Sequence, residues 1–369
     1  MASLSPSVLE VLRLLSTRHN VLIAGPPGTG KSRLLGEIAA AFVGTPVGNA
    51  PVVVPAARVP IPASPPVQTL GPLPSPNRGS RKVFTTVFHQ NTKHRDFVTG
   101  MVPAVGAAGT ALSFRVQVGK LVEAAEHALT PTGASLLIVD EINRGPAVQI
   151  FGGALVAMES DKRLDEFGQP RRTTQTFDLL RADGTFGPLA LPHHLYLLAA
   201  MNQADTSVEP LDVAFLRRWT PFTLNPEADI LNAHFGLPAT RTDLPATPAT
   251  SLDVYAAATS AWLAVNRRIS IGRGAEFRIG HGVLMSGAPP NGVSEALEYV
   301  RPGWNIIRAH VDEVFFGDVR GVAATLNVGA QSHPIKLITH TFAEQPRLEL
   351  TQPPTGNDEL YKLLSAVIG

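Results

Sequence analysis

A glycine-rich octapeptide near the start of the chain has the residue types that bind phosphate groups. It consists of Gly25, Pro26, Pro27, Gly28, Thr29, Gly30, Lys31 and Ser32. The glycines allow the backbone to curl so that successive N–H groups point to one side, where they can donate hydrogen bonds to phosphate oxygens. The pattern G-x-x-x-x-G-K-[ST] predicts that Lys31 reaches the β- and γ-phosphates of a nucleotide and that the Ser32 hydroxyl binds Mg²⁺.

An acidic pair after an apolar segment is the second group that suits this chemistry. Residues 136–139 are fully apolar and are followed by Asp140 and Glu141. A parallel strand buried on both faces has this pattern, and ligands bind at the carboxyl ends of such strands. We expect Asp140 to hold the metal through water and Glu141 to orient and polarise an attacking water. Taken alone, this pattern also suits an ordinary strand end.

A third apolar segment, residues 195–200, leads into polar residues that include Asn202. The Asn202 amide could fix the attacking water or contact the γ-phosphate. Arg217 and Arg218 follow the next predicted helix, and they suit an arginine finger, which supplies positive charge to the transition state of a neighbouring subunit. The alternative is that they only end a helix, where the helix dipole favours cations.

The elements that must position these residues alternate between helix and strand. Hydrophobic periodicity predicts helices over 6–18, 31–43, 118–129 and 146–158, and strands over 21–24, 82–89, 136–139, 195–200 and 221–224. A turn at 181–184 between alternating segments predicts a hairpin within 172–191. This order predicts an α/β fold in which helices flank a parallel sheet.

The second half of the chain has a different pattern. Helices are predicted over 227–235, 252–268, 292–313 and 358–367, with short strands over 335–339 and 347–350. We therefore expect a large α/β domain over 1–225, a smaller helical domain over 226–328 and a C-terminal extension over 329–369. Residues 46–80 are so rich in proline that they predict an extended insertion, and a docking segment for a partner is the alternative.

Composition narrows the class of protein. The length of 369 residues suggests about two or three domains. The formal net charge of +1 gives no reason to expect a nucleic-acid or membrane partner, and the absence of cysteine excludes disulfides, thiolate metal sites and cysteine nucleophiles. Neither a signal peptide nor an apolar segment long enough to span a bilayer is evident. We expect a cytoplasmic protein.

These motifs, in this order, resemble those of the AAA+ ATPases, and within them the dynein-related, McrB-like branch. The resemblance covers about residues 15–325. Its segments are Phe88–Gly100, Asp140–Arg144 with Ile150–Gly152 and Met158–Glu159, Met201–Asp205, Leu216–Trp219, Glu276–Gly282 and Trp304–Phe316. The sequence departs from the family pattern at Arg95, where an acidic residue is usual, and at Gln203, which replaces threonine. The arginine run is also one residue short.

The resemblance implies the AAA+ P-loop fold: a five-stranded parallel sheet of order 5-1-4-3-2, a helical lid formed by the smaller domain, and a ring, expected to be a hexamer, with nucleotide between subunits. It implies a sensor 2 role for Arg278, for which a structural salt bridge is the alternative. It also implies a partner, either a McrC-like nuclease or another regulatory subunit, and contact with DNA through partners.

The leading functional hypothesis is therefore a motor subunit that hydrolyses ATP or GTP with Mg²⁺ in a McrBC-like restriction or antiphage defence complex. The sequence does not choose between the two nucleotides. A MoxR-type chaperone that remodels protein complexes is the first alternative. A scaffold that binds nucleotide without hydrolysing it is the second, although a scaffold has no need of Glu141.

Overall fold

Helices and strands alternate through the first part of the chain, as the sequence predicts. The computed structural model describes residues 4–44, 73, 78–105, 112–181, 183–204, 211–241, 243–329, 333–352 and 356–369. The helices are α1 (Pro6–Arg18), α2 (Lys31–Val43), α3 (His94–Phe97), α4 (Lys120–Leu129), α5 (Ala147–Phe151), α6 (Ala154–Ala157), α7 (Val213–Leu216), α8 (Ala228–Phe235), α9 (Ser251–Gly272), α10 (Val293–Val314), α11 (Val319–Thr325) and α12 (Asn357–Ile368). The strands are β1 (Asn20–Gly25), β2 (Ser80–Val87), β3 (Thr99–Val105), β4 (Leu112–Val118), β5 (Gly133–Asp140), β6 (Thr176–Leu180), β7 (Phe186–Ala190), β8 (Leu195–Asn202), β9 (Thr220–Thr223), β10 (Leu337–Phe342) and β11 (Gln345–Leu350).

Contacts divide the chain into two units, which we describe separately. The first unit consists of residues 1–24 and 31–223, and the second consists of residues 25–30 and 224–369. The glycine-rich loop is thus grouped with the second unit, although the sequence runs directly from it into α2. The proline-rich segment 46–80 lies outside the described residues apart from residues 73 and 78–80.

A five-stranded sheet forms the centre of the first unit, with the order β2-β5-β8-β1-β9. Numbered within this sheet alone, the order is 2-3-4-1-5, which is the predicted order 5-1-4-3-2 read from the opposite edge. The pairs β1/β9, β2/β5 and β5/β8 are parallel. Because parallel strands end at the same edge of a sheet, the residues that follow β5 and β8 lie close together.

Apolar strand residues and flanking helices bury this sheet. Every residue of β5 except the last is buried, as the continuous apolar pattern predicts. Helices α1, α2 and α4 pack against sheet strands. The start and end of α1 follow from local signals: the Ser5 side chain accepts a hydrogen bond from the Val8 N–H at 3.4 Å, and His19 ends the helix in the left-handed conformation, with φ of 65°.

Two departures from the predicted elements lie near the sheet. The helix predicted over 146–158 is wrong as a single helix, because Gly152, with φ of 51°, separates α5 from α6. A Cβ at Gly152 would lie 3.0 Å from the ring of His94, so a close tertiary contact favours glycine there. The hairpin predicted within 172–191 is confirmed as β6–β7, whereas the antiparallel pair β3–β4 was not predicted.

Helices α8 to α12 form one hydrophobic core in the second unit. The largest buried side chain is Trp262 of α9, and residues of α10 and α12 pack in the same core. The long helix α9 begins with a capping box, in which Thr250 and Asp253 satisfy each other's backbone N–H groups. Strands β10 and β11 form an exposed antiparallel hairpin. None of the described helices is long and apolar enough to cross a bilayer.

Candidate nucleotide-hydrolysis site

The acidic pair lies at the carboxyl end of β5. Asp140 is the last residue of that strand, and Glu141 follows in the left-handed conformation with φ of 51° and ψ of 43°. This conformation is uncommon for a residue with a side chain and often marks a functional site. The N–H of Glu141 donates a hydrogen bond of 2.9 Å to Oδ1 of Asp140, which ties the two residues together.

Asn202, the last residue of β8, contacts Glu141 directly. Its Nδ2 donates a hydrogen bond of 2.9 Å to Oε1 of Glu141. The sheet order explains this contact, since β5 and β8 are neighbouring parallel strands. Asn143 in turn donates from its Nδ2 to the backbone carbonyl of Asn202 at 3.0 Å. The structure therefore brings Asp140, Glu141 and Asn202 together.

Arg144 contacts the other oxygen of the same carboxylate. Its Nε lies 3.2 Å from Oε2 of Glu141, and the arginine side chain is 51% exposed. Sequence reasoning gave no role to Asn143 or Arg144, although both belong to the segment that carries the resemblance. Their position directly after the acidic pair was the available signal.

Lys31 and Ser32 occupy the first turn of α2, which follows the glycine-rich loop. Burial lowers the pKa of Lys31 to about 8, while the carboxylates of Glu141 and Asp140 act in the opposite direction. The side chain of Ser32 is exposed. An ammonium group that interacts with two carboxylates, followed in the chain by a hydroxyl, suits a nucleotide with Mg²⁺.

The glycine-rich loop has the backbone conformation that its sequence predicts. Gly28 and Gly30 have φ of 78° and 87°, a region that glycine enters without cost. The buried Thr29 hydroxyl donates a hydrogen bond of 2.8 Å to the Pro26 carbonyl, which closes the turn. A Cβ at Gly30 would meet no atom of the described residues within 4 Å.

Arg278, also in the second unit, donates hydrogen bonds to neutral groups. Its guanidinium bonds to the Asn225 side chain and to the Ala275 carbonyl, each at 2.9 Å. Both acceptors are neutral, so these contacts differ from the salt bridge that was the structural alternative for this residue.

The two adjacent arginines after α7 have different surroundings. Nε of Arg218 lies 3.0 Å from Oε1 of Glu159, and the Arg218 side chain is only 8% exposed. The two atoms are not aligned for a hydrogen bond, so their attraction is electrostatic. Arg217 is exposed, and both arginines line a cavity of about 590 Å³. Glu159 belongs to a segment that carries the family resemblance, but the sequence analysis gave it no role.

A buried polar network holds the backbone of this arginine segment. Arg163 is fully buried, and its guanidinium donates to Oδ1 of Asn20 at 2.7 Å and to backbone carbonyls that include Met158 at 3.0 Å. Asn20 then donates from Nδ2 to the carbonyl of Arg218 at 3.1 Å. Burial lowers the pKa of Arg163 to about 9. No sequence pattern pointed to Asn20 or Arg163.

Comparison with known proteins agrees with this geometry. A family model described as an AAA domain of the dynein-related subfamily matches residues 77–219. The EcoKMcrB subunit of the type IV methyl-directed restriction enzyme of Escherichia coli K12 is 24% identical over 224 residues, which are 60% of this chain and 39% of that subunit. The component YdiS of the type II restriction enzyme BsuMI of Bacillus subtilis 168 is 29% identical over 214 residues, which are 56% of this chain and 57% of that component.

The matches thus span between about two fifths and three fifths of the lengths of these relatives. Among solved structures, the alignment with NtrX from Brucella abortus covers 86% of this chain and 52% of the NtrX chain at 10% identity, with a TM-score of 0.35. The family model, the two restriction subunits and the sheet order agree. Residues 77–219 therefore match an AAA domain of the dynein-related subfamily, and the chain resembles McrB-like restriction components.

Proposed function

We propose that this chain hydrolyses ATP or GTP and acts as the motor subunit of a McrBC-like restriction or antiphage defence complex. The observation that carries the proposal is the hydrogen bond of 2.9 Å between Asn202 and Glu141 at the ends of neighbouring strands. A carboxylate fixed by an amide can orient a water molecule for attack on a phosphate. Lys31, whose ammonium group interacts with the same carboxylates, would bind the phosphates.

The residues of the chain divide the work of phosphoryl transfer. Ser32 and Asp140 offer the oxygen ligands that Mg²⁺ prefers, and this ion neutralises charge on the phosphates when it is bound. Glu141 would hold the attacking water and accept its proton, and Asn202 would keep the carboxylate in position. Phosphoryl transfer needs mainly positioning and charge neutralisation, so no covalent intermediate is required.

Of the two arginines, we assign the arginine finger to Arg217. Arg218 is nearly buried and lies against Glu159, so reaching another subunit would break that contact. Arg217 is exposed at the edge of the cavity and has no such constraint among the described residues. An exposed arginine can supply charge to the site of a neighbouring subunit in a ring, which we expect to be a hexamer.

The link to restriction rests on the two relatives, which are named as subunits of restriction enzymes. We propose by analogy that this chain works with a McrC-like nuclease or another regulatory subunit and that it meets DNA through such partners. Its own formal net charge of +1 gives no sign of a strongly basic surface.

Phosphate release from ATP and from GTP tests the proposed activity. We expect Glu141→Gln to lower turnover at least about 100-fold, because the amide cannot accept a proton from water. Glu126→Gln is the matched control, since it removes an exposed carboxylate on α4, and it should leave turnover unchanged. Equal turnover by the wild-type and Glu141→Gln proteins would refute hydrolysis at this site.

The same assay separates the two nucleotides. Turnover selective for GTP, stimulated further by DNA and a nuclease subunit, would support the role in a restriction complex. Turnover of ATP alone, without stimulation by DNA, would leave the enzymatic proposal in place and count against the restriction role.

A further inference from the structure

Two backbone hydrogen bonds join the glycine-rich loop to a short segment of the second unit that we call the glycine strap (residues 279–282). The N–H of Gly280 donates to the carbonyl of Pro27 at 2.8 Å, and the N–H of Gly282 donates to the carbonyl of Gly28 at 2.9 Å. The strap therefore binds two successive carbonyls of the loop.

The approach between the strap and the loop is too close for any side chain at Gly280. A Cβ there would lie 2.0 Å from the carbonyl carbon of Gly28 and 2.2 Å from its oxygen. Gly280 has φ of −65° and ψ of 156°, which every residue type adopts. The requirement for glycine therefore comes from the distance to the loop and not from the backbone conformation.

The other side of the strap is anchored in the core of the second unit. Both backbone groups of Ile279 are bound by the side chain of Asn266: its Nδ2 donates to the carbonyl at 2.9 Å and its Oδ1 accepts from the N–H at 2.7 Å. Trp262 also donates from its indole N–H to the Ile279 carbonyl at 3.0 Å. These groups are buried in α9, so the strap is attached to the core of the second unit.

These contacts fix the direction of two peptide groups in the loop. In a trans peptide the carbonyl of one residue and the N–H of the next point in opposite directions. Because the strap binds the carbonyls of Pro27 and Gly28, the N–H groups of Gly28 and Thr29 point to the opposite side. A loop that rotated either peptide would turn a carbonyl oxygen towards that side, where it would repel a phosphate.

We propose that the glycine strap is a positioning element for nucleotide binding, in which Gly280 and Gly282 hold the phosphate-binding loop with its N–H groups presented to the phosphates. The role rests on the proposed function, since it assumes that the loop binds nucleotide. It adds two positioning residues, which act through the backbone of the loop and do not contact the phosphates themselves.

Calorimetric titration with ATP and with GTP in the presence of Mg²⁺ tests the strap. Gly280→Ala should raise the Kd at least about tenfold, because the new Cβ displaces the loop. Gly282→Ala should raise it less, since a Cβ there would lie 2.8 Å from the Gly28 oxygen and 3.7 Å from its carbonyl carbon. Gly329→Ala is the control, because a Cβ at Gly329 meets no atom within 4 Å among the residues that the structure describes, and it should leave the Kd unchanged.

Amide hydrogen exchange of the nucleotide-free wild-type protein gives a second test that does not depend on folding of a variant. The N–H groups of Gly280 and Gly282 should exchange slowly, because both are hydrogen-bonded. Rapid exchange at both would overturn the proposal, as would an unchanged Kd for a folded Gly280→Ala protein. If the wild-type protein binds neither nucleotide, the proposed function fails instead.

Discussion

At the residue scale, Lys31 is the group whose charge state should control nucleotide affinity. Burial lowers its pKa to about 8, so the lysine is largely protonated below that pH and largely neutral above it. Phosphates bind the protonated form. Below about pH 8 the affinity should therefore be nearly constant, and above it the protein must take up a proton when nucleotide binds.

We expect the Kd for ATP or GTP to rise above about pH 8, by at most about tenfold for each pH unit. Calorimetric titration between about pH 7 and about pH 9.5 measures this. The Lys31→Met protein, which has no titrating group at this position, should bind weakly with little change over the same range. An affinity of the wild-type protein that stays flat up to about pH 9.5 would contradict this role of Lys31.

Some of the residues of the site could be predicted, and others could not, for a physical reason. Asp140, Glu141 and Asn202 follow continuous apolar segments, and parallel strands bring such ends together. Asn20 and Arg163 are different. The hydrogen bonds of Asn20 join residues 138 to 198 positions apart in the chain, with Met158, Arg163 and Arg218 as partners, and leave no local pattern.

At the scale of elements, strong periodicity predicted the main helices and strands to within a few residues. The missed hairpin β3–β4 had a signal, since Leu112, Phe114 and Val116 alternate with polar residues. Gly100 and Pro103 obscured the partner strand, because both residue types are rare inside strands. The break between α5 and α6 lies at Gly152, where a Cβ would come within 3.0 Å of the His94 ring, and a helical pattern cannot reveal such a close approach.

The segment that follows α7 gives a prediction at this scale, because its contacts hold the backbone and one of its two arginines, while the other arginine is exposed. We expect Arg217→Ala to lower turnover at least about 100-fold without a change in the free energy of unfolding. We expect Arg218→Ala to lower that free energy by about 1 to 3 kcal/mol, because Glu159 loses its partner.

Steady-state kinetics and urea denaturation of both variants measure these effects. The assignment of the finger would be reversed if Arg218→Ala abolished turnover at unchanged stability while Arg217→Ala remained active. Arg172→Ala, which removes an exposed guanidinium elsewhere in the first unit, is a suitable control for both assays.

At the scale of the whole molecule, the proposed site needs two copies of the chain. Glu141 of one subunit and Arg217 of its neighbour would act on one nucleotide. In a ring with head-to-tail contacts, a subunit that carries Glu141→Gln can still supply Arg217, and a subunit that carries Arg217→Ala can still supply Glu141.

We therefore expect a mixture of these two inactive proteins to recover activity. Random assembly of equal amounts would give about a quarter of the interfaces both intact residues. Phosphate release, measured before and after mixing, tests this recovery. The control is each variant alone at the same total protein concentration as the mixture. No recovery from a mixture that still assembles would mean that both residues act within one subunit or that Arg217 is not the finger.

The indole of Trp262, which donates to the Ile279 carbonyl, also gives the protein a built-in optical probe. The chain has three tryptophans, and all are buried: Trp219, Trp262 and Trp304. Trp219 directly follows the arginine pair, whereas Trp262 is bonded to the strap. Indole emission depends on the polarity and hydrogen bonding around the ring. The emission of Trp262 therefore reports on the strap, and that of Trp219 reports on the arginine segment. A change in the surroundings of either element should therefore alter the fluorescence of the protein without an added dye.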